Sequence, residues 1–224
     1  TVAGDFTTSG GLLGASCLKF PTSASGDKRV VIPVSASEND HIKAAFGDGI
    51  FTVEGWIKMD TNFVDGVWCN KDAEFAIHIA RSGATLWALA EGNANGNFNF
   101  GANAFAMPNL EDGKWHHLAF CRRYTGSQGH YDIYVDGKLE VVHTVGGTGA
   151  TWSATDSDFV VGAYAANGSS GLERCHIENI RIWGTTRTAA QIRADMFNST
   201  PTSSASDCIA NFTFNEGTST IITA

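Results

Sequence analysis

The sequence predicts an all-β domain: two antiparallel sheets packed as a sandwich, with one short helix near the C-terminus. Three observations predict it. First, apolar and polar residues alternate with period two. In Trp115-His-His-Leu-Ala-Phe-Cys121, residues His116, Leu118 and Phe120 fall on one face and His117, Ala119 and Cys121 on the other, which is strand spacing. Second, about a dozen such runs recur at short intervals with turn residues between them. Third, charged residues make up only 17% of the chain while Gly numbers 25, a composition that suits many strands and turns.

The elements follow in order. Residues 1–16 are rich in Gly, Ser and Thr and are expected as a flexible arm or linker, leaving 17–224 as a single domain. Cys17–Phe20 and Arg29–Val34 read as strands. Ile50–Met59 is a strong strand that places Phe51, Val53, Trp56 and Ile57 near the core. Its pattern breaks phase at Gly55, which suggests a bulge or a close backbone approach. Asp60–Gly66 reads as a polar loop. Val67–Asn70, Glu74–Arg81 and Thr85–Ala90 are three further strands. Phe98 and Phe100 alternate with Asn97 and Asn99 inside an Asn/Gly-rich run, so either a strand or a surface loop lies there.

The run 114–139 then forms a meander expected at the middle of the sandwich. Asp136-Gly137 tolerates positive φ and turns Lys138–His143 back as a third strand. Phe159–Tyr164, His176–Trp183 and Cys208–Phe214 complete the strands. Thr188-Ala-Ala-Gln191 has capping-box spacing, and Ala189, Ile192 and Met196 continue it as one helical face ending near Phe197. This many antiparallel strands predicts a jelly roll, which leaves few edges open.

The formal charge of −8 argues against nucleic acid, whose phosphates need Lys and Arg, and against an anionic membrane surface. No apolar run reaches the roughly 18 residues of a spanning helix. A chain beginning at Thr1 is expected to be a processed mature chain or one part of a longer protein. The five cysteines, Cys17, Cys69, Cys121, Cys175 and Cys208, include no Cys-x-x-Cys zinc pair. A Cys17–Cys208 bridge between the first and last strands is one reading, and five small buried thiols is the other. Asn167, Asn198 and Asn211 stand in Asn-x-Ser/Thr sequons, of which Asn211 falls in an expected strand.

Five patches occur in sequence: Phe51-Thr-Val-Glu-Gly-Trp56-Ile, Gly113-Lys-Trp115-His-His117-Leu-Ala, Tyr134-Val-Asp136-Gly-Lys, Ile177-Glu-Asn-Ile180-Arg-Ile182-Trp183 and Phe214-Asn-Glu-Gly217. Together they resemble the laminin-G-like branch of the concanavalin A-like lectin/glucanase superfamily over nearly the whole chain. The patches are core and turn residues, so the resemblance implies architecture and not a ligand.

Glycosidases of this fold carry paired carboxylates on alternate strand positions. The nearest pattern here is Asp72-Ala-Glu74, which lacks a third acid, and the segment around Ile177 holds only Glu178. The His residues show no zinc spacing, and no Gly-x-Ser-x-Gly elbow occurs. The resemblance implies one structural calcium near the paired terminal strands, where Asp27, Glu38, Asp40 and Glu216 are the candidate ligands. Trp68, Trp87, Trp152 and Tyr164 lie outside the family's core patches and could stack on a sugar. Trp68 with Asp65, Asn70 and Asp72 is the preferred cluster, with Trp87 and Trp152 beside it. For any single one of these aromatics, core or rim packing is the commoner role.

The expected function is a non-enzymatic glycan-binding, lectin-type or adhesion module, extracellular or on the surface of a cell or virion. Its partner would be a glycan or a surface protein. An alternative is an interaction module of a larger assembly, docked or oligomerised through the arm. A glycoside hydrolase using Asp72 and Glu74 is a third.

Overall fold

The computed structural model describes residues 2–3, 8–9, 11–14, 16–20, 29–33, 42–43, 49–64, 66–71, 75–82, 85–92, 104–125, 128–145, 157–163, 171–202 and 205–215. Two antiparallel sheets face each other. The first contains β1 (Val2–Ala3), β4 (Arg29–Ile32), β13 (Phe159–Val161), β6 (Gly66–Lys71), β7 (Phe75–Ser82), β8 (Thr85–Gly92) and β9 (Ala104–Met107), in that spatial order. The second runs β12 (Lys138–Val145), β11 (Gln128–Val135), β10 (Trp115–Thr125), β5 (Phe51–Val64), β14 (Glu173–Trp183), β3 (Cys17–Phe20) and β2 (Thr8–Ser9). A last strand, β15 (Cys208–Phe212), pairs with β14. The core lies between the sheets. Val53, Ile57, Leu118, Phe120, Ile133, Ile177 and Ile182 meet Trp68, Cys69, Ile77, Ile79, Phe159 and Val161 there.

The expected all-β jelly-roll sandwich with one short helix is what the chain forms. Several details differ. The 114–139 meander forms one flank of the second sheet, and β5 and β14 form its centre. Alternation in β5 does not break at Gly55: Phe51, Val53, Ile57 and Met59 are core residues, whereas Trp56 stands outside the main core cluster. The irregularity belongs to β14, where the register shifts between Glu178 and Arg181. Asn179 there takes a positive φ of 56°. Gly55 is its close neighbour, since a Cβ on Gly55 would lie 3.0 Å from the Asn179 carbonyl oxygen. Strand β5 also runs on through Val64, so the segment from Asp60 is strand rather than loop. It pairs with β14 again at Glu173–Val64, beyond a register shift between Glu173 and Cys175.

Residues 1–16 are not an arm over their described length. Val2–Ala3 pairs with β4, and Thr8–Ser9 pairs with β3, so the stretch adds an edge to each sheet. Backbone donors and acceptors pair whatever the side chain, and open edges recruit them. All five cysteines are free thiols. Cys17 pairs across from Ser9 on β2 and Cys208 from Trp183 on β14, so no Cys17–Cys208 bridge forms. The possible strand around Phe98 lies outside the described residues.

Helix α1 (Ala189–Asp195) packs on the outer face of the second sheet. Thr188 accepts from the Gln191 N–H, and the Thr188 N–H donates back to the Gln191 side chain at 2.9 Å, as the spacing predicts. Ile192 seals a second small cluster with Ala119, Cys121 and Tyr134. These are the positions whose period-two partners face the main core.

Candidate functional site

The preferred sugar cluster does not stand on the surface. Trp68 is 0% exposed and sits in the core with its ring 5.7 Å from that of Phe120. A β-bulge between Val67 and Cys69 lets Trp68 and Cys69 both join the core. Strict alternation along the strand would have separated them. Asn70 is likewise fully buried. Trp87 lies in β8, paired with Ala80 and Ala106. Asp65, Asp72, Glu74, Trp152, Tyr164 and Asn167 lie outside the described residues. So do all four candidate calcium ligands, Asp27, Glu38, Asp40 and Glu216. Among the described residues no group of three His, Cys, Asp or Glu side chains is arranged to hold a metal.

The outer face of the second sheet carries the polar side chains, in two zones. The first zone is closed. Glu54, Arg181, Arg187 and Asp195 are buried beneath helix α1. Arg187 donates to Glu54 at 2.8 Å and to Asp195, and Arg181 lies 3.6 Å from Glu54. Two positive and two negative side chains therefore balance. Burial raises the Glu54 carboxyl, and the Arg187 and Arg181 guanidiniums oppose that rise. Arg181 also donates to the Asp195 carbonyl at 3.0 Å and to the Asn198 carbonyl. Its Nε donates to the Asn211 side chain at 3.3 Å, tying up that sequon. This zone fastens the helix to the sheet.

Glu178 is also committed. Its carboxylate accepts backbone N–H groups from Leu12, Leu13 at 3.0 Å and Gly14 at 2.8 Å. It clamps the 12–14 segment onto the sheet.

The second zone is open. Trp115 pairs with Lys58, Lys58 with His176, and His176 with Lys19, so these residues form one row across β10, β5, β14 and β3. The chain neighbours of Lys58, His176 and Lys19, which are Ile57, Met59, Cys175, Ile177, Leu18 and Phe20, are all buried in the core, and Trp115 shares their face as the register partner of Lys58. Period-two alternation therefore turns the row outward. Lys19 is exposed, and Trp115, Lys58 and His176 are partly exposed. The rings of Trp115 and His176 lie 6.3 Å apart, edge to face. Burial lowers the His176 pKa, Lys58 and Lys19 lower it further, and Asp60 opposes them. Two residues along each strand lie His117, Trp56 and Glu178. Trp56 is covered there by His117 and by Phe197, which is 61% exposed.

An aromatic edge beside three basic groups on rigid strands can stack a flat apolar face and bind the polar groups around it. Sequence reasoning missed this row. Its members are scattered from residue 19 to residue 176 and meet only through strand register. Trp115 in particular reads as one of the family's core positions.

These observations define the class, a two-sheet jelly roll with a helix on its outer face. A laminin-G family model, described as the concanavalin A-like lectin/glucanases superfamily, matches residues 28–193, and the chain belongs to that family. No curated protein matches it by sequence. Three solved structures are similar in fold. A candidate carbohydrate-binding protein from Bacteroides ovatus is 18% identical with a TM-score of 0.55, over 75% of this chain and 46% of that one. Botulinum neurotoxin type C, whose cell entry depends on interaction with two ganglioside molecules, is 14% identical with a TM-score of 0.59, over 89% and 46%. Tailspike protein 2 from Escherichia coli O157:H7 bacteriophage CAB120 is 10% identical with a TM-score of 0.63, over 96% and 29%. At these identities the likeness is one of fold. The chain spans less than half of each of these structures.

Proposed function

We propose that this chain is a non-catalytic glycan-binding module of a larger extracellular or surface protein. The observation that carries the reading is the outward row Trp115–Lys58–His176–Lys19. A sugar ring would lay its C–H face on the Trp115 indole, and its substituents would reach the neighbouring Lys and His side chains. Recognition would use shape and hydrogen bonds held on rigid strands, with no covalent step. The commitment of Glu54, Asp195 and Glu178 to internal partners supports a non-catalytic role. Membership of a lectin/glucanase superfamily and similarity in fold to a candidate carbohydrate-binding protein support a glycan partner. A structural calcium held by Asp27, Glu38, Asp40 and Glu216 belongs to this reading.

The test is a glycan-array screen of the purified chain, in calcium and again in chelator. Binding that disappears with Trp115→Ala, in a variant that keeps its circular dichroism and melting temperature, supports the reading. Loss in chelator adds the metal. A blank array under both conditions overturns it.

A second reading, an assembly module of a surface fibre or virion, draws support from the tailspike similarity over 96% of the chain. A blank array together with a concentration-dependent oligomer in light scattering would favour it.

A further inference from the structure

We propose that the outward row selects acidic glycans, with the anion held between Lys58, His176 and Lys19 and the sugar ring on Trp115; this rests on the glycan-binding reading of the same row. The chain as a whole carries a net charge of −8, yet three consecutive positions of this row are basic. Lys58 and Lys19 flank His176 on either side, on the two strands that neighbour it. Among the described residues neither lysine makes an ion pair, although the exposed Lys114 and Lys138 each hold a carboxylate, at 2.9 and 2.7 Å. Nδ1 of His176 is buried with no hydrogen-bond partner among the described residues. A cationic row whose charges repel one another is stabilised when a negative group arrives from outside.

The groups facing His176 are known from each packed strand. Lys58 and Asp60 come from β5, Lys19 from β3 and Trp115 from β10. On its own strand, Glu178 is occupied by the 12–14 amides. Asp60 is the one acidic side chain acting on His176 among them, against two lysines. An incoming carboxylate or sulfate would reverse that balance and favour the imidazolium. Binding of the anion is then coupled to uptake of a proton by His176, and salt screens it.

The test uses matched probes on the whole chain by titration calorimetry: 3′-sialyllactose for a carboxylate, a chondroitin sulfate oligosaccharide for a sulfate ester, and lactose as the neutral control. The expected result is an acidic probe binding at least tenfold tighter than lactose. The preference should grow as pH falls from about 7.5 to about 5.5 and shrink in high salt. Whichever acidic probe binds identifies the anion. Lys58→Gln and Lys19→Gln, at one partly exposed and one exposed position, should each lower the acidic affinity several-fold and lower lactose affinity by much less, so that the acidic preference shrinks. His176→Gln should remove the pH dependence. Equal affinity for acidic and neutral probes, or a preference that survives both lysine substitutions, overturns the proposal while leaving glycan binding standing. No binding by any probe, together with a blank array, overturns both.

Discussion

The guanidinium of Arg187 lies 3.6 Å above the ring centroid of Trp183. The same group donates to Glu54 and Asp195. One side chain from the loop before helix α1 thus joins β5, β14 and the helix. Cation–π contact of this kind strengthens when it is desolvated, and here both residues are buried.

Removing Arg187 should be severe. Arg187→Ala would leave two carboxylates buried against a single remaining guanidinium, and breaking one partner of a buried pair costs about 3–5 kcal/mol. Urea unfolding should show a loss of this size, and limited proteolysis should nick the chain near 187–198. A loss below about 1 kcal/mol would mean that water reaches the cluster and that the helix is only loosely held.

His117 makes the fold sensitive to acid. Burial, with Arg181 and Arg187 nearby, pushes its pKa down to about 3 from 6.5. Below 6.5 the unfolded chain takes up a proton that the folded chain refuses. The contribution is therefore complete above 6.5 and is lost as pH falls towards 3, at about 1.4 kcal/mol per pH unit. Denaturation measured at several pH values in this window should show the slope, and His117→Gln should flatten it by that amount. An unchanged slope in the variant would assign the acid sensitivity to other groups.

Gly55→Ala should destabilise the centre of the second sheet. The added Cβ would lie 2.7 Å from Ile180 Cδ1 and 3.0 Å from the Asn179 carbonyl oxygen, on the bulged part of β14. Overpacking of this kind costs about 1–3 kcal/mol. Thermal unfolding should register a clear fall in melting temperature. An unaltered melting temperature would mean that the bulge moves aside freely.

The local pattern of the chain by itself determined most of the strands and where the helix begins. Period two in β10 and β11 reads directly from Leu118, Phe120 and Ile133, and the Thr188/Gln191 box reads from four residues. Each of these signals lies within a few positions of its cause. Five short patches in order were enough for the family, because core and turn residues reflect the fold.

Only the tertiary structure decided which aromatics face water. Trp68 looked like a free platform until a one-residue bulge in β6 placed it in the core. Trp115 looked like core and faces outward. Composition suggested a loose N-terminal arm, yet sheet edges recruited its backbone at Val2–Ala3 and Thr8–Ser9. The row Trp115–Lys58–His176–Lys19 exists because four strands from distant parts of the chain adopt one register. Register is set by the packing of whole sheets, and a shift of one residue would turn every one of these side chains to the other face.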